Sequence, residues 1–218
     1  MSERLIGILI DAFPKLVSYG IKVTVPLTAL SFALALVISV VVAVIQYANV
    51  KVLRQLCRFY IWIVRGTPLL VQLYLVFYGL PSIGIVFEAF PAAVLVFGIN
   101  EGAYMAESVR AALEAIPRDQ LEAGLCQGIG FVKIMRRIMI PQAARIAFPS
   151  LMNSLISMLK GTSLASCITV TEMFRQAQVI NGRVYESLAL YSEVALIYLL
   201  ICTVLTLLQK YIEKKLKY

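Results

Sequence analysis

Nothing charged lies between Lys22 and Lys51, and no other feature constrains the chain as strongly. The stretch from about Val23 to Gln46 is long enough to cross the roughly 30 Å hydrocarbon layer of a bilayer, which takes roughly twenty apolar residues in a helix. Four further segments have comparable length. One covers residues 59–80 and is interrupted by Arg65-Gly66-Thr67-Pro68. Another covers 89–113 and carries Asn100, Glu101, Glu107 and Arg110. A third covers 146–166 with Pro149, Asn153 and Lys160, and the last covers 188–208 with Glu193. With 61% hydrophobic and 15% charged residues over 218 positions, the composition departs from the roughly 45–50% apolar and 25% charged of a soluble domain. The expectation is an all-α integral membrane protein with five transmembrane helices, forming a single domain over residues 1–218.

The twenty Lys and Arg against twelve Asp and Glu flank the apolar spans rather than forming one soluble face. Membrane topology therefore accounts for them, and nucleic acid is not implied. Placing Lys51, Arg54, Arg58, Arg118, Lys133, Arg136, Arg137, Arg145, Lys210, Lys214, Lys215 and Lys217 on one side leaves Arg4, Lys15, Lys22, Arg175 and Arg183 on the other. By the positive-inside rule the N-terminus is outside, the C-terminus is cytoplasmic, and residues 113–145 face the cytoplasm. Leu5, Ile6, Leu9, Ile10, Phe13, Leu16 and Val17 recur at helical spacing, which suits a helix along the outer membrane face over residues 1–20. The same segment mixes Glu3, Arg4, Asp11 and Lys15 with apolar residues and shows no cleavable leader pattern. Cys57, Cys126, Cys167 and Cys202 are widely separated and there is no His, so neither a zinc site nor a disulfide framework is indicated and the cysteines read as packing residues. An odd number of spans excludes two equal inverted halves, so a central pathway calls for two subunits paired about an axis through the membrane.

The cytoplasmic segment from about 114 to 145 is too polar to span and too well patterned to be slack linker. Pro117 suits a first helical turn, with Asp119 and Glu122 near the positive end of the helix. Gly128-Ile129-Gly130 offers a reversal near Gln127. A second helix places Phe131, Ile134 and Ile138 on one face and Lys133, Arg136 and Arg137 on others, until Pro141 interrupts it. Periodicity alone fits equally a hairpin resting on anionic headgroups and a protein-docking surface. Spacing favours the second. Glu122-Ala123-Gly124, three residues, Gly128, nine residues, Ile138, one residue, Ile140 and Pro141 resembles the EAA loop of ABC-transporter permeases, with Gly124 in place of Ala and Ile140 in place of Leu.

Other segments extend the resemblance over about Tyr19 to Gln209. Arg65-Gly66-Thr67-Pro68-Leu69-Leu70-Val71-Gln72, Gly102-Ala103-Tyr104-Met105-Ala106-Glu107 with Arg110, Ile140-Pro141-Gln142-Ala143 and Leu159-Lys160-Gly161-Thr162-Ser163-Leu164 look like the histidine/glutamine/arginine/cystine-type permeases, which usually carry Asp at the position of Gly161. The resemblance implies type I ABC importer permease architecture in a bacterial cytoplasmic (inner) membrane. It implies a coupling helix docked on cytoplasmic ABC ATPase subunits through Glu122, Ala123, Gly124 and Gly128, with Ile138 and Pro141 completing the motif. It further implies an extracytoplasmic amino-acid-binding protein meeting residues 81–88 and 167–187, and a second permease copy or related permease. The chain has no Gly-x-x-x-x-Gly-Lys-Ser/Thr loop, so no cofactor is expected on it; ATP and Mg would belong to the partner ATPase.

Charged groups at membrane depth call for a partner or a wet cavity. Lys160, Thr162 and Ser163, with Glu101, Asn100 and Tyr104, are candidates for the substrate pathway, since a desolvated amino acid needs both its charges compensated. Lys160 and Glu101 could instead pair with each other or reach water. Arg65, Thr67 and Gln72 divide between substrate contact, a gate, and an anchor for carbonyls freed by Pro68. Glu107 and Arg110 suit a helical pair. The competing function is an ATP-independent secondary carrier or channel for small zwitterions, whose intramembrane carboxylates relay ions. A membrane-embedded enzyme lacks a recognisable nucleophile, base or metal cluster.

Overall fold

The computed structural model describes residues 3–216, and among these every regular element is helical. Met1 of the amphipathic N-terminal segment and Lys217 among the flanking bases lie outside the described residues. α1 (Glu3–Tyr19), a π turn over Gly20–Thr24, and α2 (Val25–Ala48) join into one helix of 46 residues, about 70 Å long at 1.5 Å per residue. The expected separate helix on the outer face is thus the first part of the first span. Its inward face, with Ala12 and Leu16, packs on Met173, Ala177, Leu190 and Val194, so protein rather than headgroups covers that side.

α3 (Lys51–Gly66) and α4 (Leu69–Tyr74) follow, the latter extended by a π turn over Leu75–Gly79 and a 3-10 turn over Leu80–Ile83. They meet at 103° across Thr67-Pro68, so the interrupted span expected over 59–80 is a sharply broken pair. α5 (Ala89–Glu114) runs as one helix, then α6 (Asp119–Cys126) and α7 (Phe131–Ile134) form a hairpin. α8 (Ile140–Gly161), a 3-10 turn over Thr162–Ile168, α9 (Met173–Val184) and α10 (Ser187–Leu216) complete the chain. Glu3–Ala48, Ala89–Glu114 and Ser187–Lys215 are long and apolar enough to cross a membrane, and the bent pair makes a fourth span if taken together. α8 has the length, at 22 residues, but Arg145, Asn153, Lys160 and its serines dilute its hydropathy. The expected outer loop over 167–187 is largely helix, because α9 fills it.

All three π turns precede prolines. Gly20–Thr24, Leu75–Gly79 and Met135–Met139 end two residues before Pro26, Pro81 and Pro141. Proline cannot donate, and its ring presses on the carbonyl four residues earlier. In each case that carbonyl lies inside a wider turn, closed by Val25 N–H to Gly20 O, Leu80 N–H to Leu75 O, and Ile140 N–H to Met135 O. One extra residue per turn gives the ring its space without ending the helix. Pro141 therefore does not interrupt: helix runs from Phe131 to Gly161 through the π turn.

The most extensive helix pair is α2 against α5. Gly98 and Gly102, four apart on α5, leave room that Leu34 and Ile38 of α2 occupy. A Cβ at Gly98 would lie 2.6 Å from Leu34 Cδ2, and one at Gly102 2.9 Å from Ile38 Cγ2. Close approach through small residues is what holds helices together in lipid, where apolar burial alone gives no preference for protein over tails. The opposite face of α5 is thereby left for other work. We expect Gly98→Val to destabilise the fold by about 1–3 kcal/mol, the usual cost of overpacking. Thermal unfolding in detergent should show Leu34→Ala partly restoring it and Gly66→Ala, whose Cβ would meet nothing within 4 Å, leaving the midpoint unchanged.

Candidate functional site

Breaking the α3–α4 pair exposes backbone carbonyls that a bilayer cannot satisfy. Gln72 resolves this by donating Nε2–H to Val64 O at 2.8 Å and to Thr67 Oγ1 at 2.8 Å, with Thr67 O at 3.2 Å, while Thr67 Oγ1 donates to Ile63 O at 2.9 Å. The Gln72 Oε1 accepts from Asn100 Nδ2 at 3.0 Å, which ties the bend to the middle of α5. Thr67 and Gln72 are thus placed at the bend as its staple. Neither lines the central cavity.

That cavity, of about 640 Å³, lies between the bend, α5 and α8, within the roughly 300–1,000 Å³ of small-molecule sites. Arg65, from the last turn of α3, holds its guanidinium carbon 5.0 Å from the centre of the Tyr104 ring, a cation–π stack that orients a planar cation. α5 contributes Phe97, Asn100, Glu101, Tyr104, Glu107 and Ser108, and α8 contributes Ser150, Asn153, Ser154, Ser157, Met158 and Gly161. Ser154 and Glu101 line the same cavity, and Ser108 and Ser150 bond each other at 2.8 Å. A Cβ on Gly161 would meet only Phe97, at 3.7 Å, so the missing side chain is open volume at the cavity wall.

Four of the nine pathway candidates, Arg65, Asn100, Glu101 and Tyr104, meet around this cavity. Lys160 does not. It is exposed on another face of α8, beside Cys202 of α10, and among the described residues the ion pairs belong to Arg110 alone, so Lys160 and Glu101 are unpaired with each other. Thr162 is fully buried and donates to Leu159 O at 2.6 Å; Ser163 donates to Lys160 O at 2.9 Å. Both hydroxyls bond carbonyls in the last turn of α8, where the 3-10 turn begins. Arg110 bonds Glu107 at 3.0 Å and, beyond the expected pair, Glu114 at 2.7 and 2.8 Å.

The hairpin of α6 and α7 has the expected order of helix, glycine turn and helix. Gly128 has φ +74°, the left-handed region that favours glycine. Glu122 and Ala123 are exposed on α6 and Gly128 is exposed in the turn. Gly124 faces inward instead, since its Cβ would lie 2.8 Å from Ile134 Cδ1. Ile138 packs against the cluster built by Leu113, Ile116, Ile134 and Met139, and Pro141 starts α8. Gln120 and Gln142 exchange amide hydrogen bonds at 3.2 and 2.6 Å, fastening α6 to α8. Of the cysteines, Cys57 is buried in a core cluster whereas Cys126 is exposed on α6.

Two groups had no part in the sequence-based site. Ser150, Asn153, Ser154, Ser157 and Gly161 recur at intervals of three and four on α8, a polar stripe that helical periodicity could have revealed. Glu172, fully buried, accepts from Phe174 N–H at 2.8 Å, Arg175 N–H at 2.6 Å and Tyr198 Oη at 3.2 Å, while Met173 N–H donates to Thr24 Oγ1 at 3.2 Å. These bonds join the first helix, α9 and α10; nothing local in the sequence signals them.

The profile of the family described as binding-protein-dependent transport system inner membrane component matches residues 35–218. The L-cystine transport system permease protein TcyB of Bacillus subtilis is 42% identical over 207 residues, covering 94% of this chain and 88% of the relative. The probable amino-acid ABC transporter permease protein PatM of Vibrio harveyi is 41% identical over 213 residues, covering 95% and 94%. Among solved structures, one described as an amino acid ABC transporter with histidines superposes with TM-score 0.87 at 32% identity, over 99% of this chain and 100% of that one. The MetNI methionine ABC transporter in an inward-facing conformation shares the fold at TM-score 0.77 and 17% identity, over 100% of both chains. By the match over residues 35–218 and relatives above 40% identity along nearly its whole length, the chain belongs to the family of inner membrane components of binding-protein-dependent transport systems.

Proposed function

We propose that this chain is the membrane-spanning subunit of an ATP-driven importer for a polar amino acid, working by alternating access. One observation carries the reading: a guanidinium from α3 and a carboxylate from α5 share an amide- and hydroxyl-lined cavity within the spans. A zwitterion stripped of water needs both charges compensated. The Arg65 fork, over the Tyr104 ring, suits the α-carboxylate; Glu101, which shares the cavity with Ser154, suits the α-ammonium. The amide donor of Asn153, whose oxygen accepts from Gln209, the Ser157 hydroxyl and the side-chain carbonyl oxygen of Asn100 remain for a polar side chain. The naming of relatives for L-cystine and amino acids supports the same solute class.

Residues 1–218 act as one permease domain, with the N-terminus outside and the C-terminus cytoplasmic; the bases of α3 and of the hairpin support this orientation. Cytoplasmic ABC ATPase subunits dock on the exposed Glu122, Ala123 and Gly128, and those subunits hold ATP and Mg. A binding protein delivers solute at the outer face formed by α9 and the Leu80–Ile83 turn, and a second copy or related permease completes the pathway. Because α6 is seated on Ile134 and bonded to α8 through Gln120–Gln142, a push on α6 reaches the lower ends of both cavity walls together.

The test is reconstitution with an ATPase and a binding protein in liposomes, scored by uptake across an amino-acid panel. Solute-stimulated ATP hydrolysis is expected, and uptake down a gradient by the isolated chain would favour the ATP-independent carrier. Glu101→Gln should lower uptake at least about tenfold, the scale of a lost charge-assisted hydrogen bond, whereas Lys160→Met should leave the half-saturating solute concentration unchanged. Glu122→Lys should abolish co-purification of the ATPase; retained attachment and uptake would remove α6 from the coupling path.

A further inference from the structure

Beyond the central cavity, α3 and α5 continue to pack against one another, and both carry charged residues there. On α3, Arg54, Arg58 and Arg65 lie at intervals of four and seven, on one helical face. On α5, Glu107 and Glu114 are seven apart, close to two turns, and Glu101 precedes Glu107 by six, about 120° round the helix. The two helices are tied at mid-height by Tyr60 Oη–H to Ile99 O at 2.6 Å. Glu107 lines the central cavity and also a second one of about 280 Å³, which Arg54, Arg58, Arg110, Glu114 and Gln46 complete. The two spaces therefore share a wall.

The second space has a surplus of donors. Arg110 is neutralised by Glu107 and Glu114. Arg54 donates to the Asn49 side-chain oxygen, an uncharged partner, and Arg58 makes no ion pair among the described residues. The Gln46 Nε2 is buried with no hydrogen-bond partner, an expensive state for an amide donor unless an acceptor visits it. Three donors without a carboxylate, next to a carboxylate pair already held by Arg110, make a place for an anionic group with a cationic one close by.

We propose that this space is a second, exit-side binding site for the transported amino acid. The solute carboxylate passes from Arg65 to Arg58 and Arg54, with Gln46 donating to it, while its ammonium passes from Glu101 to Glu107. This rests on the amino-acid reading given above and adds a station to it. Accumulated internal amino acid would occupy the station and slow further import.

The test uses liposomes carrying the permease, its ATPase partner with ATP inside, and the binding protein outside. L-Cystine, L-glutamine and L-arginine are each imported against graded internal concentrations of the same compound. Internal amino acid should inhibit wild-type import, and its carboxamide analogue should not. Arg58→Gln should weaken this inhibition about tenfold, as loss of a charge-assisted contact does, and Arg58→Lys should retain most of it. Arg54→Gln serves as the second variant should Arg58→Gln assemble poorly. Undiminished inhibition in both Gln variants, equal inhibition by the carboxamide, or no inhibition of the wild type would overturn the exit site while leaving import itself intact. Failure of the wild type to import any of the three would overturn the amino-acid reading as well.

Discussion

The close approach of α2 to α5 fixes everything that matters for transport. Leu34 and Ile38 fill the space left by Gly98 and Gly102, so α5 is clamped on the α2 side while a different face borders the cavity between it and α8. That face carries Asn100, Glu101, Tyr104, Glu107 and Ser108 into the cavity. Past its C-terminus, through Ile116 and Pro117, α5 leads directly into α6. A single clamped rod thus connects the surface where force would arrive to the groups that would hold solute. Loosening the clamp would blur both ends, which is why two residues without side chains matter more here than most charges.

Around this rod, polar groups divide by whether the fold already satisfies them. Thr67, Gln72, Thr162, Ser163 and Glu172 all spend their hydrogen bonds on backbone that a break, turn or helix start leaves open. They are the means by which bent helices survive in a medium that offers no water. Pro26, Pro81 and Pro141 are handled by geometry instead, each preceded by a widened turn rather than a broken helix. Arg65 and Glu101 differ: one is steadied by an aromatic face and the other shares the cavity with a serine, and neither has an ionic partner. Such groups at bilayer depth are costly unless they serve a wet path.

Hydropathy and flanking charge made the helical membrane class legible in the sequence, and the EAA spacing located the hairpin because its glycine turn and outward Glu122 depend on local residues. Arg65, Asn100, Glu101 and Tyr104 could be chosen because charge and amide groups stand out against apolar neighbours. Lys160 stands out for the same reason but does not line this cavity: residue type can be read from the sequence, but not which face of α8 it occupies. The polar stripe on α8 was readable by its period, yet serines excite no suspicion singly. What the sequence left hidden depends on distant partners. Gly124 faces Ile134 rather than an ATPase, Thr24 meets Met173, and Pro141 continues a helix only because Met135–Met139 widens before it.

The most direct test of a cavity that alternates its access is the reactivity of a cysteine placed at Ser154, after the four native cysteines have been replaced by alanine. In the reconstituted complex, a membrane-impermeant thiol reagent applied from the ATPase side should label Cys at this position in the absence of nucleotide. Trapping the ATPase with bound ATP should protect it, while the same reagent applied from the binding-protein side should gain access. Equal labelling from the ATPase side in both nucleotide states would contradict the account, because the cavity would then be a fixed feature rather than one moved through α5 and α6.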